Sequence, residues 1–213
     1  MNIAKMIDHT ILKADALKED IIKYCHEAIE YGFASVCVNT CHVKTVHNLL
    51  KGSSAKTCCV IGFPLGAMST KGKVLETQVA IEDGVEEVDM VINIGALKEE
   101  NHELVYEDIK AVNEVCQANN AVLKVIIETC FLTEEEKIIA CQLALRAKAD
   151  FVKTSTGFGS GGATVADIRL MKKVVKDKAK IKASGGIRTA EQAQQMILAG
   201  ADRIGASNGI ILL

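Results

Sequence analysis

The chain has 213 residues, 49% of them hydrophobic, enough for one sizeable core, and a single barrel domain can use all of residues 1–213. With 25 Lys+Arg against 27 Asp+Glu the net charge is −2, so the basic footprint of a nucleic-acid binder is missing, and the basic run from Lys172 to Lys182 reads mostly as a solvated helix face leading into a strand. No apolar run approaches the length of a membrane span, so no membrane role is expected.

Short β-branched runs alternate with longer helical patterns. In chain order the predicted strands are a short one over Met6–Thr10, then Ala34–Asn39, Thr57–Gly62, Glu87–Asn93, Val122–Glu128, Phe151–Ser155, Lys180–Ser184 and Arg203–Ser207. Several, such as Cys58-Cys59-Val60-Ile61, are apolar without alternation, as parallel strands covered on both faces should be. Between them, Gly32, Gly52, Gly84 and Gly200 stand where helices should stop. Thr133 with Glu136, and Thr189 with Gln192, fit capping boxes.

Eight parallel strands with seven or more helices predict an α/β fold, a single closed TIM (β/α)8 barrel. A doubly wound open sheet fits less well. Its glycine-rich turn should follow the first strand, whereas the Gly-rich turns here follow the last ones. The run Gly157 to Gly162 carries glycines at the spacing of a dinucleotide fingerprint, but it follows the sixth predicted strand and not an early one. The chain ends at Leu213, six residues past Ser207, so the final helix should be short or missing.

Eight cysteines are scattered along the chain, and Met1–Thr10 mixes polar and apolar residues too freely for a signal peptide. Cys37, Cys58, Cys59 and Cys130 lie in apolar runs, where a thiol behaves as a small hydrophobe. A reduced, cytoplasmic protein is expected. Cys37, Cys41 and His42 are close in sequence, but no second ligand pair follows at zinc spacing, and His42 and His47 are five apart. No metal and no other cofactor is expected.

In a barrel, chemistry sits at the C-terminal ends of the strands. Three charged residues lie there: Asp89, Lys153 and Lys182. Their neighbours Val88 and Met90, Val152 and Thr154, Ile181 and Ala183 point to the other face and suit a helix layer, so the charged three should face the barrel interior. An internal ion pair would account for any one of them. Two lysines with one carboxylate fit that explanation poorly. Each ammonium disfavours protonation of the other, and a free amine can attack a carbonyl to form an imine. Gly185-Gly186 after the seventh strand and Gly205 to Gly209 at the eighth stand where many barrels hold a phosphate.

Val152-Lys153-Thr154-Ser155-Thr156-Gly157-Phe158 resembles the Schiff-base segment of the deoxyribose-phosphate aldolases, and Lys182-Ala183-Ser184-Gly185-Gly186-Ile187-Arg188-Thr189 resembles that family's second lysine and phosphate loop. Asp8-His9-Thr10, Val36 to Asn39, Gly62 to Gly66, Glu87 to Leu97 and Lys124 to Thr129 match in the same order, so the resemblance spans nearly the whole chain. It implies reversible cleavage of 2-deoxy-D-ribose 5-phosphate to acetaldehyde and D-glyceraldehyde 3-phosphate. It makes Lys153 the imine-forming nucleophile, Lys182 its electrostatic partner and Asp89 a partner of Lys182 in proton transfer. Gly157, Gly185, Gly186, Gly205 and Ser207 would bind phosphate, with Asp8 and Thr10 lining the pocket. The partner is thus a small phosphosugar, and a homo-oligomer stays open. A Schiff-base aldolase for another phosphosugar, or a non-catalytic barrel that binds one, are the alternatives. Thr40 and Asn208 depart from the family pattern, and the end at Leu213 leaves no room for the C-terminal tail of longer members. On this reading Lys182→Leu should leave the fold largely intact.

Overall fold

The computed structural model describes residues 2–213; Met1, the first residue of the Met1–Thr10 segment, lies outside them. Eight parallel strands close into a barrel in sequential order. They are β1 (Ile7–Ile11), β2 (Ser35–Val38), β3 (Lys56–Ile61), β4 (Glu87–Val91), β5 (Val122–Ile126), β6 (Phe151–Lys153), β7 (Lys180–Ser184) and β8 (Arg203–Ala206). Each predicted strand is present, but several end earlier than their apolar runs. β4 stops at Val91 because Asn93 has already turned to cap a helix, its side chain accepting from Ala96 N–H.

The helices α1 (Lys18–Tyr31), α2 (Val43–Leu50), α3 (Thr70–Glu82), α4 (Ile94–Lys98), α5 (His102–Ala118), α6 (Glu134–Arg146), α7 (Val165–Val175) and α8 (Ala190–Ala199) fill the crossovers. α1 ends on Gly32 at φ +69°, a left-handed position that L side chains resist. The Thr133–Glu136 capping box is closed on both sides. The second is half closed: the Thr189 hydroxyl accepts from Gln192 N–H, but the Gln192 side chain accepts from Arg188 N–H instead. After β8 there is only a 3-10 turn, Ile210–Leu212, as the short final segment predicted.

Strand alternation divides the side chains between two environments. Val88, Met90, Leu123, Val125, Val152, Ile181 and Ala183 point outward into one continuous apolar core under the helices. Full burial of such side chains contributes roughly 1.5–3 kcal/mol each, so the helix layer carries most of the hydrophobic stability. The interior holds a smaller apolar group, Cys37, Cys58 and Val60, with Val91, Ile126 and Phe151 turned to the same side by alternation. Much of the remaining interior is charged. A second buried ion pair lies outside the barrel: Lys73 on α3 donates to Asp108 on α5 at 2.5 Å and to the carbonyl of Val91 at 2.9 Å, tying both helices to the end of β4.

Candidate active site

The barrel register places Asp89 beside Lys124, Lys153 beside Lys182, and Lys182 beside Arg203. The interior side chains then meet at Asp89. Its Oδ2 accepts from Lys153 Nζ and from Lys182 Nζ, each at 2.7 Å, so the two amines cannot be further apart than twice that distance. Its Oδ1 accepts from Lys124 Nζ at 2.8 Å. Lys124 also pairs with Glu87 at 2.6 Å. Below them Asp8 lies 2.5 Å from Lys182 and 2.6 Å from Arg203, which also reaches Glu87.

Three carboxylates (Asp8, Glu87, Asp89) therefore face four cations (Lys124, Lys153, Lys182, Arg203) in a space that water barely reaches. Burial pushes the Asp89 carboxyl up, but Lys124, Lys153 and Lys182 around it more than cancel that and hold it well below the usual range. Asp8 is likewise raised by burial and lowered further by Lys182, Lys124 and Arg203. Burial works against the charged form of Lys182, yet Asp8 and Asp89 outweigh it and keep that ammonium protonated. Lys124 is held charged in the same way, by the carboxylates of Asp89, Glu87 and Asp8.

An acid response follows. Asp8 and Asp89 have folded pKa values below the unfolded carboxylate value of about 3.9, so the unfolded chain binds protons first as pH falls. Their contribution to stability is complete above about pH 5 and is lost progressively below it. Urea unfolding at stepped pH should show the midpoint dropping steeply below pH 4. A midpoint that stays flat from pH 5 to 3 would contradict the network.

Above the cluster opens a cavity of about 280 Å³ at the C-terminal ends of β1, β6, β7 and β8. Of the three interior lysines only Lys153 reaches its wall. Lys182 and Lys124 are fully buried beneath it, as are Asp89 and Asp8. Thr10, Gly157, Gly185, Gly186, Gly205 and Ser207 all border the cavity. Asp8 does not: it lies under the floor, where Ser35 also donates to it at 2.6 Å. The expected pocket residues thus divide into a wall and a charged foundation. Gly185 sits at φ +84°, with room for a Cβ only 3.0 Å from Gly162 Cα, so the β6 and β7 loops touch backbone to backbone there. At Gly205 a Cβ would come within 3.1 Å of Lys182 Cε, so the glycine also leaves space for that lysine to stand inside the barrel.

A family model described as DeoC/LacD family aldolase matches residues 2–213. The chain belongs to that family. A deoxyribose-phosphate aldolase of Finegoldia magna is 59% identical over 210 residues, covering 99% of this chain and 98% of that protein. A crystal structure from Coccidioides immitis superposes with a TM-score of 0.96 at 44% identity, covering 98% of this chain and 83% of that one. The tetrameric deoxyribose phosphate aldolase of Aeropyrum pernix superposes with a TM-score of 0.92 at 32% identity, covering 99% of this chain and 88% of its own.

Sequence reasoning passed over part of this aldolase's site. Lys124 alternates between Leu123 and Val125 as Lys153 and Lys182 do between their neighbours, so the same signal was available for it. Glu128, buried at φ +55°, was also missed. Its carboxylate accepts from Thr156 N–H at 3.2 Å and from the Thr156 hydroxyl, which sets the loop that follows Lys153. Nothing in the local pattern marks that role, because the two residues, 28 apart in the chain, meet only once β5 and β6 have paired.

Proposed function

We propose that this aldolase reversibly cleaves 2-deoxy-D-ribose 5-phosphate through an imine on Lys153. The observation that carries the assignment is accessibility: three lysines share the interior carboxylate Asp89, and Lys153 alone of them opens onto the cavity. The cluster holds one more cation than anions, so it tolerates one uncharged amine, and the lysine at the cavity is the one free to be it.

The Lys153 amine adds to the aldehyde carbon C1 of the open-chain sugar and water leaves, giving a protonated imine. Asp89, 2.7 Å from Nζ, faces that positive charge. A base removes the C3 hydroxyl proton, the C2–C3 bond breaks, and its electrons pass into the imine to form an enamine. Glyceraldehyde 3-phosphate departs. Protonation of the enamine at C2 gives the acetaldehyde imine, and water releases acetaldehyde and the free amine. Asp89 is too weak a base in its cationic surroundings to act alone, so we assign the proton movements to Asp89 and Lys182 working through water. The phosphate end is assigned to Gly157, Gly185, Gly186, Gly205 and Ser207, whose loops supply backbone N–H groups and remote binding energy. Thr10, whose hydroxyl donates to the Asp8 carbonyl at 2.9 Å, is assigned to the wall between phosphate and amine. The direct test offers 2-deoxyribose 5-phosphate, ribose 5-phosphate and fructose 1,6-bisphosphate separately. Release of acetaldehyde from the first, and little cleavage of the others, is expected. Binding without turnover would leave only a sugar-phosphate receptor.

Chelators should leave turnover unchanged, because the imine supplies the electron sink that a metal ion provides in metal-dependent aldolases. Cys37, Cys58 and Asp89 do lie within 4.8 Å of one another. Both Asp89 oxygens, however, already accept from the Lys124 and Lys182 ammonium groups, which a divalent cation there would face. Loss of activity in EDTA that zinc restores would refute this.

All eight cysteines are unpaired thiols, which supports a reducing, cytoplasmic compartment. Among the described residues no helix is long and apolar enough to cross a membrane. Exposed Met68, Leu75 and Val79 form an apolar stripe at and along α3 that supports self-association, and sedimentation would read the state.

A further inference from the structure

His9 is a buried histidine that the proposed chemistry does not use. It sits on β1 between Asp8 and Thr10, but on the opposite face, turned to the helix layer and only 1% exposed. Gly209 N–H donates to its Nδ1 at 3.2 Å. That nitrogen must therefore be unprotonated, and the ring carries its proton on Nε2, which donates to Glu27 at 2.7 Å. The ring stacks on Tyr24, with centroids 4.1 Å apart and planes at 16°. Tyr24 and Glu27 stand one turn apart on α1 and so share a face. The Tyr24 hydroxyl in turn donates to the carbonyl of Ser207 at 2.7 Å.

These two bonds grip both ends of one short segment, Ser207 to Gly209, the loop that follows β8 and borders the cavity through Ser207. Gly209 is seated so closely that a Cβ there would come within 2.8 Å of Ile7 Cγ2 and 3.1 Å of Phe33 Cζ. The segment needs such a hold. The residues after it, Ile210–Leu212, form a 3-10 turn of three residues, a single turn that braces the loop little by itself.

We propose that His9 and Tyr24 are positioning residues for phosphate recognition: together they clamp the Ser207–Gly209 loop in the conformation that receives the phosphate of the substrate. The clamp touches neither the substrate nor Lys153. It acts on the loop alone, and it rests on the reading of that loop as part of the phosphate site.

The experiment compares kcat/KM for 2-deoxyribose 5-phosphate with that for unphosphorylated 2-deoxyribose, and measures binding of inorganic phosphate by calorimetry. Tyr24→Phe keeps the stacked ring and removes only the hydroxyl. It should lower the phosphorylated-to-unphosphorylated ratio about fivefold, through KM rather than kcat, the scale of one lost hydrogen bond. His9→Phe keeps an aromatic ring against Tyr24 but loses the acceptor, and should lower the ratio about tenfold or more. His9→Asn keeps an acceptor near the Nδ1 position and should recover most of it. Phosphate binding should weaken in the same order.

If His9→Phe preserves the preference and His9→Asn does not, ring packing and not the Gly209 bond holds the loop, and the clamp as stated is wrong. Equal loss on both sugars, or no change in Tyr24→Phe, overturns it as well. Tyr24→Phe, at a partly exposed residue, decides the matter should the His9 variants fail to fold. If the unaltered enzyme shows no preference for the phosphorylated sugar, the phosphate site itself is misplaced, a failure distinct from that of the clamp.

Discussion

Borohydride added with acetaldehyde is expected to inactivate the enzyme irreversibly, with one alkylated lysine that maps to Lys153. Reduction turns an imine into a stable secondary amine, so the label marks whichever amine attacks the carbonyl. Lys153 is the interior lysine on the cavity wall, while Lys182 and Lys124 are sealed beneath it. Lys153→Met should take up no label and should lose at least about 10⁴-fold in turnover, the scale on which an essential nucleophile is missed. Its fold should survive better than that of the deeper variants. Lys153 has one ion-pair partner, Asp89, and that carboxylate keeps Lys124 and Lys182 when Lys153 is gone. Peptide mapping that finds the label on Lys182, or only on exposed residues such as Lys172, would overturn the assignment.

Lys182→Leu is expected to cut turnover by roughly 10²-fold or more, the scale on which a group active in proton transfer is missed. The sequence also suggested that the barrel would tolerate it, since leucine can fill the space. The structure argues otherwise. Lys182 bridges Asp8 at 2.5 Å and Asp89 at 2.7 Å, and all three are fully buried. Removing one partner of such a network costs about 3–5 kcal/mol, because Asp8 Oδ2 loses its nearest cation and Asp89 Oδ2 one of its two. At roughly 2–4 °C per kcal/mol for a domain of this size, Tm should fall by about 10 °C. The catalytic defect has its own signature. Without Lys182 the cluster holds three carboxylates and three cations, so a neutral Lys153 would leave it net negative. Residual activity should therefore recover in part as pH is raised, and full recovery is not expected if Lys182 also moves protons. Calorimetry and a pH–rate profile separate the two effects. A variant with unchanged Tm and near-normal turnover would show Lys182 to be a spectator.

Much of this architecture is legible in the sequence. Apolar runs separated by helical segments mark all eight strands, because parallel strands buried on both faces need no alternation to be recognised. Charged residues between outward apolar neighbours identify Asp89, Lys153 and Lys182 as interior, since side chains on a strand alternate strictly. The motifs around both lysines carry the resemblance to the aldolase family, and the family match over residues 2–213 agrees with it. Alternation, however, assigns a side chain to a face and says nothing of its height in the barrel or its partner. Those are set by strand tilt and stagger on closure. Only the closed barrel brings Lys182 to Asp89, 93 residues away, and Arg203 to Asp8, 195 residues away. It also puts Asp8 below the cavity floor rather than on its wall, and leaves Lys153 as the interior lysine that a substrate can reach.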